Sequence, residues 1–191
     1  MQMTTRYITK AAVIAVLYVA LTILLAPISY GIIQFRISEA LMVLAAFTPA
    51  AIPGLFIGCV ISNLVGGFGI IDILFGSLAT LAAAFFTCKL SKHMHADEGV
   101  GRLSAAKPFL LPLPTVFFNG IIVGGYLPFI ITDSGIESGN LVFIIAVSVF
   151  SVMLGELVVM FALGVPLYYA IKRTNLFSEE IIGDRSGKGM E

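Results

Sequence analysis

The stretch LVFIIAVSVFSVMLGELVVMFALGVPLYYAI, residues 141–171, carries one charged side chain, Glu156. A membrane-spanning helix needs about 20 mostly apolar residues. This run exceeds that, so it either tilts or extends past the bilayer. The other structure able to span lipid is a closed β-barrel, whose strands alternate over about ten residues. Here the apolar residues are continuous and the run is far longer. It reads as a helix in lipid with a carboxylate near its middle.

The rest of the chain has the same character. Of 191 residues, 59% are hydrophobic and only 12% are charged, with a mean hydropathy of +1.04. Soluble domains carry about 25% charged residues. Eleven basic residues balance eleven acidic ones. That balance offers no basic face for nucleic acid and no positive surface for peripheral attachment to anionic lipid. Scarce charge with abundant Phe, Leu and Ile excludes disorder. Cys59 and Cys88 both fall in apolar runs without a CxxC spacing. Neither a disulfide framework nor a zinc site is implied, and buried thiols are expected.

Five further apolar runs precede residue 141. They are 7–26, stopped by Pro27; 32–47, closed by Thr48-Pro49; 49–65; 70–90; and 108–131. A cleaved signal peptide is not expected at the start, because the run is too long and no A-x-A site follows it. The expectation is an all-α integral membrane protein with six transmembrane helices. Residues 1–175 would form the membrane domain and 176–191 a polar cytoplasmic tail. Positive charge tests the topology. Ten of the eleven basic residues fall in the N-terminal segment, the 91–107 loop with its flanks, and the tail. The loops 27–31, 66–69 and 132–140 hold none. This split places both termini in the cytoplasm.

Charge at membrane depth is costly and survives when paired, wet or functional. Arg36, Glu39, Asp72 and Glu156 qualify, joined by the amides Gln34, Asn63 and Asn119. Under the six-helix topology all seven lie at the midplane or in the outer half. They come from five helices, which suggests a substrate site open to the outside. Structural readings stand beside the functional ones. Arg36 and Glu39, three apart, could pair with each other. Asp72 could be a helix N-terminal residue favoured by the dipole. Asn63 could cap a chain reversal, and Asn119 could bind helices together. Glu156 has no basic residue near it in sequence and is the hardest to explain structurally. The four charges sum to −2, which favours a cationic ligand or a protonated carboxyl. Phe35, Phe117, Phe118 and Tyr126 are available to stack on a flat solute.

Catalytic signatures are weak. Residues 183–189, GDRSGKG, fall one residue short of P-loop spacing and lack the closing Ser or Thr. They read as solvated tail. His93 and His95 lie in the cytoplasmic loop, and neither a metal centre nor a catalytic pair is expected. Small-residue spacings allow close helix approach: Ala11-x-x-x-Ala15, Gly54-x-x-x-Gly58 and Gly120-x-x-x-Gly124. The first of these either packs internally or faces a partner protein.

Several segments together resemble the QueT family. These are Gln34-Phe35-Arg36-Ile37-Ser38-Glu39-Ala40-Leu41, Phe47-Thr48-Pro49-Ala50-Ala51-Ile52-Pro53-Gly54, and Asp72-Ile73-Leu74-Phe75-Gly76-Ser77-Leu78-Ala79-Thr80, with Phe118-Asn119 and Gly155-Glu156. The likeness covers about residues 7–172. It implies the substrate-binding S-component of an energy-coupling factor (ECF) transporter, in a bacterial plasma membrane. The expected ligand is a queuosine precursor, a 7-deazaguanine in its aminomethyl form. The resemblance also implies a transmembrane coupling protein and two partner ATPases that use the ATP, so this chain would bind no cofactor. It places Ala11 and Ala15 on the coupling protein, and it implies delivery by toppling of the whole subunit. Glu39, Asp72 and Glu156 would then meet the ligand's cation or ring N–H groups. Asn63 and Asn119 would read the base edge. Gln34 would line the same site, and Arg36 would orient Glu39 or meet a carbonyl oxygen. The rivals are an S-component for another vitamin-like solute, a solitary proton-coupled carrier, and a membrane-embedded enzyme or assembly factor.

Overall fold

Helices account for nearly all of the computed structural model, which describes residues 5–29, 35–96, 108–131 and 141–174; no strand occurs among them. Helix α1 is Thr5–Leu24, followed by a single turn, Ala26–Ser29. Helix α2, Ile37–Ala46, is wound as a 3₁₀ helix, and α3 is Ala51–Gly66. Helix α4 opens with a π-turn, Asp72–Gly76, and continues through Ser77–Ala96. Helix α5 is Leu113–Ile131. Helix α6 is Leu141–Val159, widened by a π-turn at Met160–Gly164, and ends as Val165–Thr174.

Specific contacts fix how these helices run. Tyr7 donates to the Pro49 carbonyl at 3.3 Å, and Thr22 donates to Ser38 at 2.8 Å. Helix α2 therefore runs antiparallel to α1. Ser91 donates to the Ala46 carbonyl, bringing the far end of α4 to the α2–α3 corner. Thr87 meets the Leu111 carbonyl, and Tyr126 meets Asp72, so α5 runs back along α4. Phe47 and Tyr168 stack with ring centroids 5.0 Å apart, which brings the end of α6 to the same corner. The helices thus alternate in direction between two ends of one bundle.

Small residues set the closest approaches. A Cβ on Gly54 would stand 2.6 Å from the Ala11 carbonyl oxygen. One on Gly58 would stand 2.8 Å from the Tyr18 Cβ and 3.1 Å from the Ala15 oxygen. The two small-xxx-small stripes therefore face each other along parallel helices α1 and α3, as such stripes do in lipid. Of the two readings of Ala11-x-x-x-Ala15, this is the internal packing one. Both alanines are buried inside the molecule, and the outward face of α1 is formed by Ile8, Val13, Val16 and Leu17. Gly124 similarly admits the Val149 backbone, with 2.5 Å from its notional Cβ to the Val149 Cα.

Helix α2 is the central element, with every residue from Ser38 to Ala45 buried. Its Met42 packs in the core with Tyr18, Leu55, Leu111 and Met160 from the surrounding segments. The outside is apolar. Leu24, Val16, Ile70, Val142, Phe143 and Phe150 are each about two-thirds or more exposed. Water would not tolerate so continuous an apolar exterior on a monomer. Four helices are long and apolar enough to cross a membrane: Thr5–Leu24, Asp72–Met94, Pro108–Ile130 and Leu141–Thr174. Helices α2 and α3 are shorter apolar segments. The chain is a multi-pass membrane protein.

Some boundaries differ from expectation. Helix α4 continues six residues past Leu90, into the stretch expected to be loop, because Lys92 and His93 face outward while Ser91 and Met94 are buried against the bundle. The expected tail, 176–191, lies outside the described residues.

Candidate functional site

The α3–α4 turn holds Gly67 and Gly69 at φ of 73° and 92°, a conformation that glycine adopts without steric cost. The reversal sets Asn63 at the end of α3 beside Asp72 at the start of α4. Asn63 Nδ2 donates to the Asp72 backbone oxygen at 2.9 Å. Asn63 therefore ties the chain reversal, yet its Oδ1 has no partner. The π-turn at Asp72–Gly76 widens the helix at this point, as such turns often do at functional sites.

Asp72 is fully buried rather than poised at a lipid–water boundary. Its Oδ1 accepts the Tyr126 hydroxyl at 2.6 Å and lies 3.5 Å from Arg36 Nη2. Arg36 also approaches the Cys59 sulfur, with Nη1 at 3.8 Å. Asn63 Nδ2 and Thr80 Oγ1 lie 3.5 Å and 3.3 Å from the same sulfur. Cys59, read from sequence as an unremarkable apolar thiol, thus sits among polar groups from α2, α3 and α4. Arg36 is therefore paired with Asp72, not with Glu39.

Glu39 faces another way. Its Oε1 accepts the Tyr18 hydroxyl at 2.5 Å. Thr22, one turn on, bonds both the Tyr18 carbonyl and Ser38 at 2.8 Å. Thr80 and Asn119 stand within interaction range of Glu39. Asn119 Nδ2 donates to Glu156 Oε1 at 3.0 Å. Glu39 is close enough to Glu156 for the two to be electrostatically linked.

Six of the seven polar residues expected at the site are buried: Arg36, Glu39, Asn63, Asp72, Asn119 and Glu156. They converge from α2, α3, α4, α5 and α6, and α1 adds Tyr18 and Thr22. Gln34 lies outside the described residues. Of the aromatic residues, Tyr126 acts through its hydroxyl. Phe117 is 54% exposed on the outer surface, which removes it as a stacking partner. Phe118 is packed on Phe86 at 5.0 Å.

Buried polar atoms are normally paired. Here Arg36 Nε and Nη2, Glu39 Oε2, Asn63 Oδ1, Asp72 Oδ2, Asn119 Oδ1 and Glu156 Oε2 have no hydrogen-bond partner. Each such group left unmet costs about 1–3 kcal/mol, and more if charged. So dense a set makes this the candidate site for a polar solute. Donors and acceptors are both present, so the arrangement can recognise a solute by hydrogen bonding and charge. No cluster of three or more His, Cys, Asp or Glu among the described residues could hold a metal ion.

Comparison with known proteins gives the relationship. The sequence model of the QueT transporter family matches residues 8–173. The queuosine precursor transporter QueT of Lactococcus lactis subsp. cremoris (strain MG1363) is 46% identical over 76 residues. That match covers 39% of this chain and 44% of the relative, so the chain aligns with less than half of the relative's length. No solved structure matches. The family match overlaps every described helix and takes in all six buried polar residues of the site: the chain belongs to the QueT transporter family.

Proposed function

We propose that this chain is the membrane-embedded substrate-binding subunit of an uptake transporter for a queuosine precursor, a 7-deazaguanine in its aminomethyl form. The observation that carries the reading is the buried constellation around Arg36, Glu39, Asn63, Asp72, Asn119 and Glu156, with its unpartnered donors and acceptors. One cation and three carboxylates give it a formal charge of −2, which suits a solute carrying a positive group. The amides and the guanidinium suit a base edge with a carbonyl and ring N–H groups.

In this reading the four long helices cross the bilayer, and α2 and α3 make two further crossings. At about 2.0 Å per residue the 3₁₀ winding stretches α2 to roughly 20 Å, and α3 reaches roughly 24 Å. Six crossings put both termini in the cytoplasm, in agreement with the basic residues, and the polar constellation toward the outside. The sequence carries no complete nucleotide-binding motif. Energy would come from partner ATPases through a transmembrane coupling protein, as in an ECF transporter, with toppling as the delivery step.

Titration calorimetry on the detergent-purified protein tests the substrate. The aminomethyl and nitrile deazaguanines are the probes. Submicromolar binding of either supports the reading. A folded sample that binds neither overturns the substrate class and leaves the family membership standing.

A further inference from the structure

The site is not uniform. Arg36, the sole cation of the constellation, is already engaged by Asp72 at 3.5 Å. That carboxylate has a second partner in the Tyr126 hydroxyl. The Arg36–Asp72 half is therefore neutral overall. It presents Arg36 Nε and Nη2 as donors and Asn63 Oδ1 and Asp72 Oδ2 as acceptors without hydrogen-bond partners. A donor–acceptor array of this kind fits the edge of a lactam base.

The other half is different. Glu39 and Glu156 are fully or almost fully buried, and among the described residues no basic side chain stands within ion-pair distance of either. Tyr18 and Asn119 each satisfy one oxygen. Glu39 Oε2, Glu156 Oε2 and Asn119 Oδ1 remain without partners. The whole formal charge of −2 resides here. Two buried carboxylates with one free oxygen apiece, beside a free amide oxygen, leave three unmet acceptors and no paired cation. A primary ammonium carries three donors and one positive charge, and meets that need.

We propose that the site is divided: Glu39, Asn119 and Glu156 receive the ligand's ammonium group, while Arg36, Asp72 and Asn63 read its hydrogen-bonding edge. This rests on the proposed substrate class and assigns its orientation. The ammonium points toward α2, α5 and α6, and the base edge toward the α3–α4 reversal. Asp72, grouped with the other two carboxylates from sequence, is the counter-ion of Arg36 and an edge acceptor rather than a cation receptor.

The experiment is a selectivity ratio, the affinity for the aminomethyl deazaguanine divided by that for the nitrile, measured on the purified full chain. Glu156→Gln and Glu39→Gln are expected each to lower the ratio at least tenfold, chiefly by weakening the cationic ligand. Asp72→Asn is expected to weaken both ligands alike and leave the ratio within about threefold. An unchanged ratio in both glutamine variants overturns the division, as does the largest fall occurring in Asp72→Asn. Should Asp72→Asn fail to fold, the two glutamine variants decide alone. Thermal stabilisation by benzylamine, a simple primary ammonium, separates this failure from that of the substrate reading. If wild type binds neither deazaguanine yet benzylamine stabilises it and not Glu156→Gln, the ammonium receptor stands and the substrate class falls. If wild type binds neither deazaguanine and benzylamine does not stabilise it, both fall.

Discussion

Gly76 shows how tightly the site residues are set. A Cβ there would stand 2.9 Å from both Asn63 Nδ2 and the Tyr126 hydroxyl, and 3.3 Å from Asp72 Oδ1. Its backbone is helical, so the requirement is for space rather than for an unusual φ. Gly76→Ala must displace three site side chains at once. Ligand affinity is expected to fall at least tenfold, with about 1–3 kcal/mol of stability lost to overpacking. Calorimetry and thermal unfolding read the two effects separately, and full affinity in the variant would show that these side chains do not touch the ligand. The charged members of the site were legible in the sequence because charge inside apolar helices is rare and costly. Tyr18, Cys59 and Thr80 were not, because the same residue types usually serve as plain packing. Their only trace is spacing: Tyr18 with Thr22, Cys59 with Asn63, and Asp72 with Gly76 and Thr80 each recur one helical turn apart. The spacing of Arg36 and Glu39 left their pairing open, and the ion pair of Arg36 is with Asp72. Arg36 stands before α2 in extended conformation, with φ −82° and ψ 91°. The i, i+3 rule of a helix does not reach it, and its side chain crosses to α3 and α4 instead.

At the scale of elements, the contact between α1 and α3 governs the site from outside it. Tyr18, which donates to Glu39, also closes over Gly58. A methyl group on Gly58 meets the Tyr18 Cβ at 2.8 Å and the Ala15 carbonyl at 3.1 Å. Backbone cannot yield as a flexible side chain does, so Gly58→Ala pushes α1 away. The expected result is a loss of about 1–3 kcal/mol, seen as a lower melting temperature in detergent, and weaker ligand binding through Tyr18. Ala12→Val, on the exposed face of α1, serves as the control and should melt with wild type. Equal melting of Gly58→Ala would mean that α1 and α3 are not held close. The four long helices could be read from run length alone. The winding of α2 could not. Its sequence, ISEALMVLAA, is rich in Ala, Leu and Met, which favour the α-helix. A 3₁₀ helix of ten residues is uncommon. Packing on every side of α2 outweighs propensity, and that packing comes from residues far away in the chain.

At the scale of the molecule, much of the polar constellation lies toward one end of the bundle and the described basic residues other than Arg36 toward the other. Tyr18, Arg36, Glu39, Asn63, Asp72 and Tyr126 lie toward the end that carries the α3–α4 turn. Lys10, Lys89, Lys92, Lys172 and Arg173 lie toward the end where the α2–α3 corner meets Tyr7 and Ser91. The reach of the two short helices is fixed by those same contacts. Ser38 touches Thr22 near one end, and Ala46 touches Ser91 near the other. Helices α2 and α3 therefore run the length between the two ends, which supports six crossings over a shallow re-entrant hairpin. The bias of basic residues then predicts the orientation. Two single-cysteine probes test it in intact cells with a membrane-impermeant maleimide. Native Cys59 and Cys88 are both buried and should give little background. Ser134→Cys, in the polar stretch after α5, is expected to label from outside. Lys92→Cys, exposed at the basic end, is expected to label only after permeabilisation. Labelling in the reverse sense would place the constellation on the cytoplasmic side and turn the uptake reading into export. Labelling of both from one side would mean that α5 does not cross between them.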